Sequence, residues 1–171
     1  MSRRIALVAA LGFSHATLAA GVAHALGIGI NVTTSQPVGL YRAVPGTARR
    51  GDLVRACLPG EAAALATARG YLRPRGACGD HEPVLKRVLA TAGDRVELGA
   101  VVVLDGEPVA AAPVLAADLG GRPLPRAADA TLGPGELWLI SDRIAHSFDS
   151  RYFGPVRTGA VLDVMRPLWT L

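Results

Sequence analysis

From Ile5 to Ile30 the chain carries no Asp, Glu, Lys or Arg. A helix that crosses a bilayer needs about 20 largely apolar residues, so this stretch is long enough to span one. Ser14, His15, His24 and several Ala and Gly make it only moderately apolar. Arg3 and Arg4 precede it, and no base follows until Arg42. Basic residues flank a first span on its cytoplasmic side, which predicts a cytoplasmic N-terminus with the rest of the chain outside. A cleaved secretory signal is the competing reading, with Ala23-His24-Ala25 as its small-x-small site. The preferred division is an uncleaved anchor over residues 1–30 and a folded domain over residues 31–171.

Past the anchor the apolar positions fall in short runs separated by turn residues. Leu53–Ala56, Pro83–Leu89, Glu136–Ile140 and Val161–Met165 read as strands. Val101–Leu104 followed by Asp105-Gly106 predicts a hairpin, because that dipeptide tolerates positive φ. Arg50-Gly51-Asp52 reads as a turn feeding the strand at Leu53. The Ala-rich segment Glu61–Arg69 is the best helix, and Ala110–Pro134 reads as an irregular excursion. Gly and Pro number 20 and 12, a composition that suits strands and turns better than a helical bundle. About 140 residues suffice for one domain with its own core.

A net charge of +4 and a pI near 9.7 raise the question of nucleic acid. The arginines are scattered and no basic stretch alternates with aromatics, so a nucleic-acid partner is not expected; anionic lipid headgroups suit the charge better. Cys57 and Cys78 are too far apart for a zinc or redox pair and have no matching histidines. Outside the cytoplasm they are candidates for one disulfide across the Ala-rich helix, with two free thiols as the alternative. The four histidines lack metal-ligand spacing, so neither metal nor cofactor is expected.

Seventeen of the 18 basic residues are arginine, and the lone lysine is Lys86. A genome rich in arginine codons replaces lysine wherever any cation serves. It cannot do so where an amine must lose its proton, because guanidinium stays charged. On a strand Lys86 shares a face with Val84 and Val88, while Arg87 shares one with Leu85 and Leu89. A lysine on an apolar face either snorkels to water or is desolvated into a base. A nucleophile is offered just beyond the anchor, where Ser35-Gln36-Pro37-Val38-Gly39 places a hydroxyl on a sharply turning backbone.

Together these residues resemble the type I signal peptidases, membrane-bound Ser-Lys proteases. Ser35-Gln36-Pro37 is similar to their serine box. Lys86-Arg87 with Gly93-Asp94-Arg95-Val96 is similar to the lysine box, and Ser141-Asp142 with Ser147-Phe148-Asp149-Ser150-Arg151-Tyr152-Phe153-Gly154 to the final box. Ser141 stands where the family usually has glycine, and Phe153 where it has tryptophan. The lack of methionine after Ser35, and the run through Pro155-Val156, resemble the conjugative-transfer signal peptidases of the TraF type. The resemblance follows the whole chain in order. His146 beside Ser147 suggests a histidine-based hydrolase instead, but no Gly-x-Ser-x-Gly elbow accompanies it.

The resemblance implies a mainly β fold: a coiled antiparallel sheet with a small insertion near residues 98–135 and one N-terminal transmembrane helix. It implies Ser35 as nucleophile and Lys86 as general base. Thr33 and the Ser35 N–H would serve the oxyanion. Ser147 would orient the lysine, Asp149 and Arg151 would brace that wall, and Asp142 would support it. The implied place is the bacterial inner membrane with the catalytic domain in the periplasm. The implied substrate is an exported pilin-like precursor bound as an added strand, with small residues beside the cut and other conjugation-apparatus proteins as further partners. An acyl-enzyme can be resolved by water or by an amine, so cyclisation is chemically open. A general leader peptidase and a catalytically silent membrane-anchored assembly factor are the alternatives.

Overall fold

A computed structural model describes residues 21–22 and 25–171. Most of the expected anchor therefore lies outside the described residues, and no helix among the described residues is long and apolar enough to cross a membrane. The uncharged run does not end as helix: Ile28–Asn31 is the first strand, β1. It pairs antiparallel with β2 (Gly39–Val44), and the seven residues between them carry Ser35.

Twelve further strands follow β1, and the protein is mainly β and antiparallel. The main sheet has seven strands in the order β1-β2-β13-β3-β6-β11-β12. Its later members are β3 (Leu53–Ala56), β6 (Val84–Ala90), β11 (Glu136–Ile140), β12 (Val156–Arg157) and β13 (Val161–Thr170). The expected strands near residues 53, 83, 136 and 161 are all present. The last continues past Met165 because its far half pairs with β2. β6 lies between β3 and β11, with Val54 opposite Lys86 and Ile140 opposite Arg87. Along β6, Val84, Lys86, Val88 and Ala90 are buried while the residues between them are half-exposed. The period of two read from the sequence therefore holds, and it turns Lys86 inward.

β7 (Arg95–Leu98), β8 (Val101–Leu104), β9 (Glu107–Pro113) and β10 (Ala130–Thr131) form a second sheet in the order β10-β7-β8-β9. Asp105 and Gly106 close the β8–β9 hairpin with φ of 50° and 86°, the left-handed pair that the sequence required. β9 runs on to Pro113, four residues into the stretch expected to be irregular, because Val101 opposite Pro113 prolongs the hairpin ladder. A core of Ala90, Val96, Leu98, Val102, Trp138 and Ile140 joins the two sheets.

One helix of two turns, α1 (Gly60–Ala68), lies on the main sheet through Ala62, Ala63 and Ala66. Small side chains let it approach Leu58 and Val84 closely. It stops where Gly70 takes a φ of 73° and Tyr71 N–H returns to the Ala66 carbonyl at 2.8 Å, a glycine termination. Cys57, just past β3, is joined by a disulfide to Cys78, in the turn of the hairpin β4 (Pro74–Gly76) and β5 (Gly79–His81). The bridge fastens that hairpin to the main sheet. The excursion is fastened too: Asp118 accepts from the Tyr71 hydroxyl and from Arg122 Nε, while Arg69 donates to the Pro123 carbonyl at 2.9 Å.

Candidate active site

The loop between β1 and β2 is held from below by Asn31, whose amide Nδ2 donates to the carbonyls of Thr33, Gln36 and Pro37 at 2.9, 3.0 and 2.9 Å. Its Oδ1 accepts from the Thr33 N–H at 3.2 Å and from the Thr33 hydroxyl at 2.8 Å. The buried Tyr41 hydroxyl closes the far side on the Pro37 carbonyl at 2.6 Å. Ser35 is thus carried on a loop whose carbonyls are tied down rather than left to water. Its Oγ lies 3.3 Å from Thr33 Oγ1. Because the Thr33 proton is directed to Asn31, Ser35 is the donor in that contact. Asn31 was not singled out in the sequence; its signal was an Asx followed two residues on by threonine, a pattern that favours a side-chain-closed turn.

Lys86 reaches the same region from β6. It is 5% exposed, and its Nζ donates to Ser147 Oγ at 2.7 Å. Burial pushes the amine down to about 8; the Asp149 carboxylate opposes that shift and the Arg151 guanidinium adds to it. A fully solvated lysine stays charged at neutral pH, whereas desolvation makes this ammonium release its proton more readily.

Asp149 and Arg151 are fully buried and paired twice, with Arg151 Nε to Oδ1 at 2.7 Å and Nη2 to Oδ2 at 2.8 Å. Asp149 also caps the short helix α2 (Ser150–Phe153), accepting from the Arg151 N–H at 3.3 Å. Its Oδ2 takes the Ser141 N–H at 3.0 Å. Arg151 Nη2 donates to the Ser147 carbonyl at 3.2 Å and Nη1 to the Pro113 carbonyl at 2.5 Å. A buried charge pair of this kind is tolerated only where nearly every donor and acceptor is used, and here nearly every one is. It fixes the backbone that carries Ser147.

Asp142 does not join this group. It is half-exposed and accepts from Arg87 Nε at 2.6 Å, while Arg87 Nη1 reaches the Gly51 carbonyl at 2.8 Å. Its place is on the other face of β6, where it ties the end of β11 to the turn before β3. Ser141 is the residue whose role the sequence did not suggest. Fully buried, it donates its hydroxyl to the Ser35 carbonyl at 2.6 Å.

Ser35 and Lys86 line one cleft of about 820 Å³ but are not hydrogen-bonded to each other. Thr33, Ser147 and His146 line it as well. One wall is the β4–β5 hairpin held by the disulfide, and deeper in lie Tyr71 and Phe148, whose rings sit 5.3 Å apart. The cleft's lining runs from Gly29–Asn31 of β1 to Val84–Lys86 at the start of β6. Chemically it offers the Ser35 hydroxyl and a buried amine whose proton is held less tightly than that of a solvated lysine.

Residues 2–169 match the family described as "Signal peptidase, peptidase S26". The chain is 40% identical to the "Conjugal transfer protein TraF" of Agrobacterium fabrum (strain C58 / ATCC 33970), covering 99% of this chain and 98% of that one. It is 39% identical to a "Plasmid transfer protein TraF" of Escherichia coli, covering 99% of each. Among solved structures, a signal peptidase I from Enterococcus faecalis V583 aligns with a TM-score of 0.41 and 18% identity, covering 72% of this chain and all of that one.

Proposed function

This chain belongs to the signal peptidase S26 family, and from that premise we propose that it is a membrane-anchored serine endopeptidase with Ser35 as nucleophile and Lys86 as general base. The observation that carries the reading is Lys86: a buried amine, hydrogen-bonded to Ser147 at 2.7 Å and lowered to about 8, opening on the same cleft as Ser35.

Neutral Lys86 takes the Ser35 proton as Oγ adds to the scissile carbonyl carbon. Negative charge moves onto the carbonyl oxygen, which accepts from the Ser35 N–H and from the Thr33 hydroxyl once that proton turns away from Asn31 Oδ1. The C–N bond then breaks, and the lysine ammonium gives its proton to the leaving amine. Lys86 next deprotonates water, which attacks the ester and frees Ser35. An amine in place of that water would join two ends of a chain, so a cyclic product needs no further group on the enzyme. Ser147 and the Asp149–Arg151 pair hold the lysine in position throughout.

The TraF relatives are named for conjugal and plasmid transfer. The substrate is accordingly an exported, pilin-like precursor of a conjugation apparatus, cut on the periplasmic side of the inner membrane. The working domain begins with β1 at Ile28 and is tethered through the uncharged run that precedes it from Ile5. An apolar row on the outer face of the sheet supports that placement: Ile30, Leu40 and Trp169 lie opposite one another on β1, β2 and β13, and all three are exposed.

The test is to express the precursor with this chain in a host lacking other transfer proteins, and to weigh the product by mass spectrometry. Processing with the wild type, and none with Ser35→Ala or Lys86→Met, is the expected result. Precursor that matures equally with Ser35→Ala would end the proposal and favour a silent assembly factor.

A further inference from the structure

The proposed nucleophile and base come from different elements and share no direct hydrogen bond. Ser35 sits on the β1–β2 loop, whereas Lys86 belongs to the central strand β6. Their relative position must be set by whatever spans the gap. One residue touches both sides. Ser141, at the end of β11, donates its hydroxyl to the Ser35 carbonyl at 2.6 Å and its backbone N–H to Asp149 Oδ2 at 3.0 Å. From Asp149 the path continues through Arg151 to the Ser147 carbonyl, and the Ser147 hydroxyl receives Lys86. We propose that Ser141 is a positioning residue that registers the nucleophile loop on the Asp149–Arg151 frame and so aligns Ser35 with Lys86.

Three features separate this role from ordinary core filling. Ser141 is fully buried, where an unmade hydroxyl bond would be costly, so its proton is committed to one acceptor. That acceptor is the carbonyl of the reacting residue itself, not of a neighbour. The same oxygen receives the Arg143 and Ile144 N–H groups at 3.4 and 3.5 Å, which fixes the hydroxyl against rotation. Glycine, the residue usual at this position of the serine-lysine boxes, has no side chain to make the link. The inference rests on the reading of Ser35 and Lys86 as nucleophile and base.

Removal of the hydroxyl should leave Lys86 untouched, because the backbone N–H to Asp149 remains. It should release the Ser35 loop by a fraction of an ångström to an ångström, a displacement that can lower turnover about 100-fold. The experiment uses the full chain in detergent and an internally quenched peptide with alanine on both sides of the scissile bond. Ser141→Ala and Ser141→Gly are compared with wild type for kcat, KM and the pH midpoint of amine labelling at Lys86, the lone lysine. Expected is a 10- to 100-fold fall in kcat, KM within twofold and an unmoved labelling midpoint; Ser141→Thr, which keeps the hydroxyl, recovers part of the rate. Unchanged kcat in both variants overturns the proposal, as does a labelling midpoint that moves with kcat, since the residue would then act on the base through general packing. If Lys86→Met cleaves the peptide as fast as wild type, the Ser-Lys reading itself fails, a result separable from either outcome at Ser141.

Discussion

The proposed chemistry turns on the protonation of one amine. Lys86 accepts a proton only when neutral, so cleavage is expected to rise with pH through a midpoint of about 8. The sign follows from burial: desolvation penalises the ammonium, and the nearby Asp149 carboxylate only partly offsets it. Replacement of Asp149 by Asn removes the one charge that favours the ammonium, and would shift the midpoint lower if the fold survives the loss of its partner. Measurement of kcat against pH for wild type checks the first point; a profile flat from pH 6 to 9 would remove Lys86 as the base. Lys86→Arg should be inactive, because its guanidinium keeps its proton. It also places a permanent charge at a buried position beside Arg151, so Lys86→Met is the cleaner test. Folding should be compared through the near-ultraviolet signal of Trp138, which is fully buried.

Among the elements, the β4–β5 hairpin depends most on a single bond. Its strands have three residues each, and most of their side chains are exposed, so little apolar burial holds it to the sheet. The Cys57–Cys78 bridge closes a loop with a sequence separation of 21 and is expected to stabilise by about 3 kcal/mol in the chain-entropy picture. Both thiols should resist alkylation until a reductant is added. The double variant Cys57→Ala with Cys78→Ala should melt several degrees lower and raise KM, since this hairpin walls the cleft. Equal KM and equal melting temperature would show that the hairpin is held some other way. The same element marks where sequence reasoning stops. Pro74–Gly76 and Gly79–His81 have no apolar run to betray them, whereas Val84–Ala90 is a short run rich in Val and Leu and was legible, lysine face included. The Ser35, Lys86 and Ser147 boxes were legible as local strings. Ser141 and Asn31 were not, because their roles lie in contacts to backbone carbonyls, which no side-chain pattern records. Asp142 lay in the right box, yet it pairs with Arg87, which the period of β6 places on the face opposite Lys86.

At the scale of the whole molecule, the outer face of β1, β2 and β13 bears on where the enzyme works. Ile30, Leu40 and Trp169 form one exposed rung, and Arg42 and Arg166 face each other on the next. Apolar and indole groups beside arginines suit the boundary between acyl chains and anionic headgroups. The chain has two tryptophans, and Trp138 is fully buried in the core. In vesicles of phosphatidylcholine and phosphatidylglycerol with brominated acyl chains, wild-type fluorescence should be partly quenched, and Trp169→Phe should abolish the quenching. Equal quenching in both would place this face away from the lipid. The central claim, that a deprotonating Lys86 drives cleavage on Ser35, is tested most directly by acetylating the lone lysine and following activity against the fraction modified, read by mass spectrometry. The account predicts that cleavage is lost in proportion to modification of Lys86, with the N-terminal amine irrelevant and the modification rate rising through pH of about 8. Protein fully acetylated at Lys86 that still cuts its precursor at the wild-type rate would contradict it.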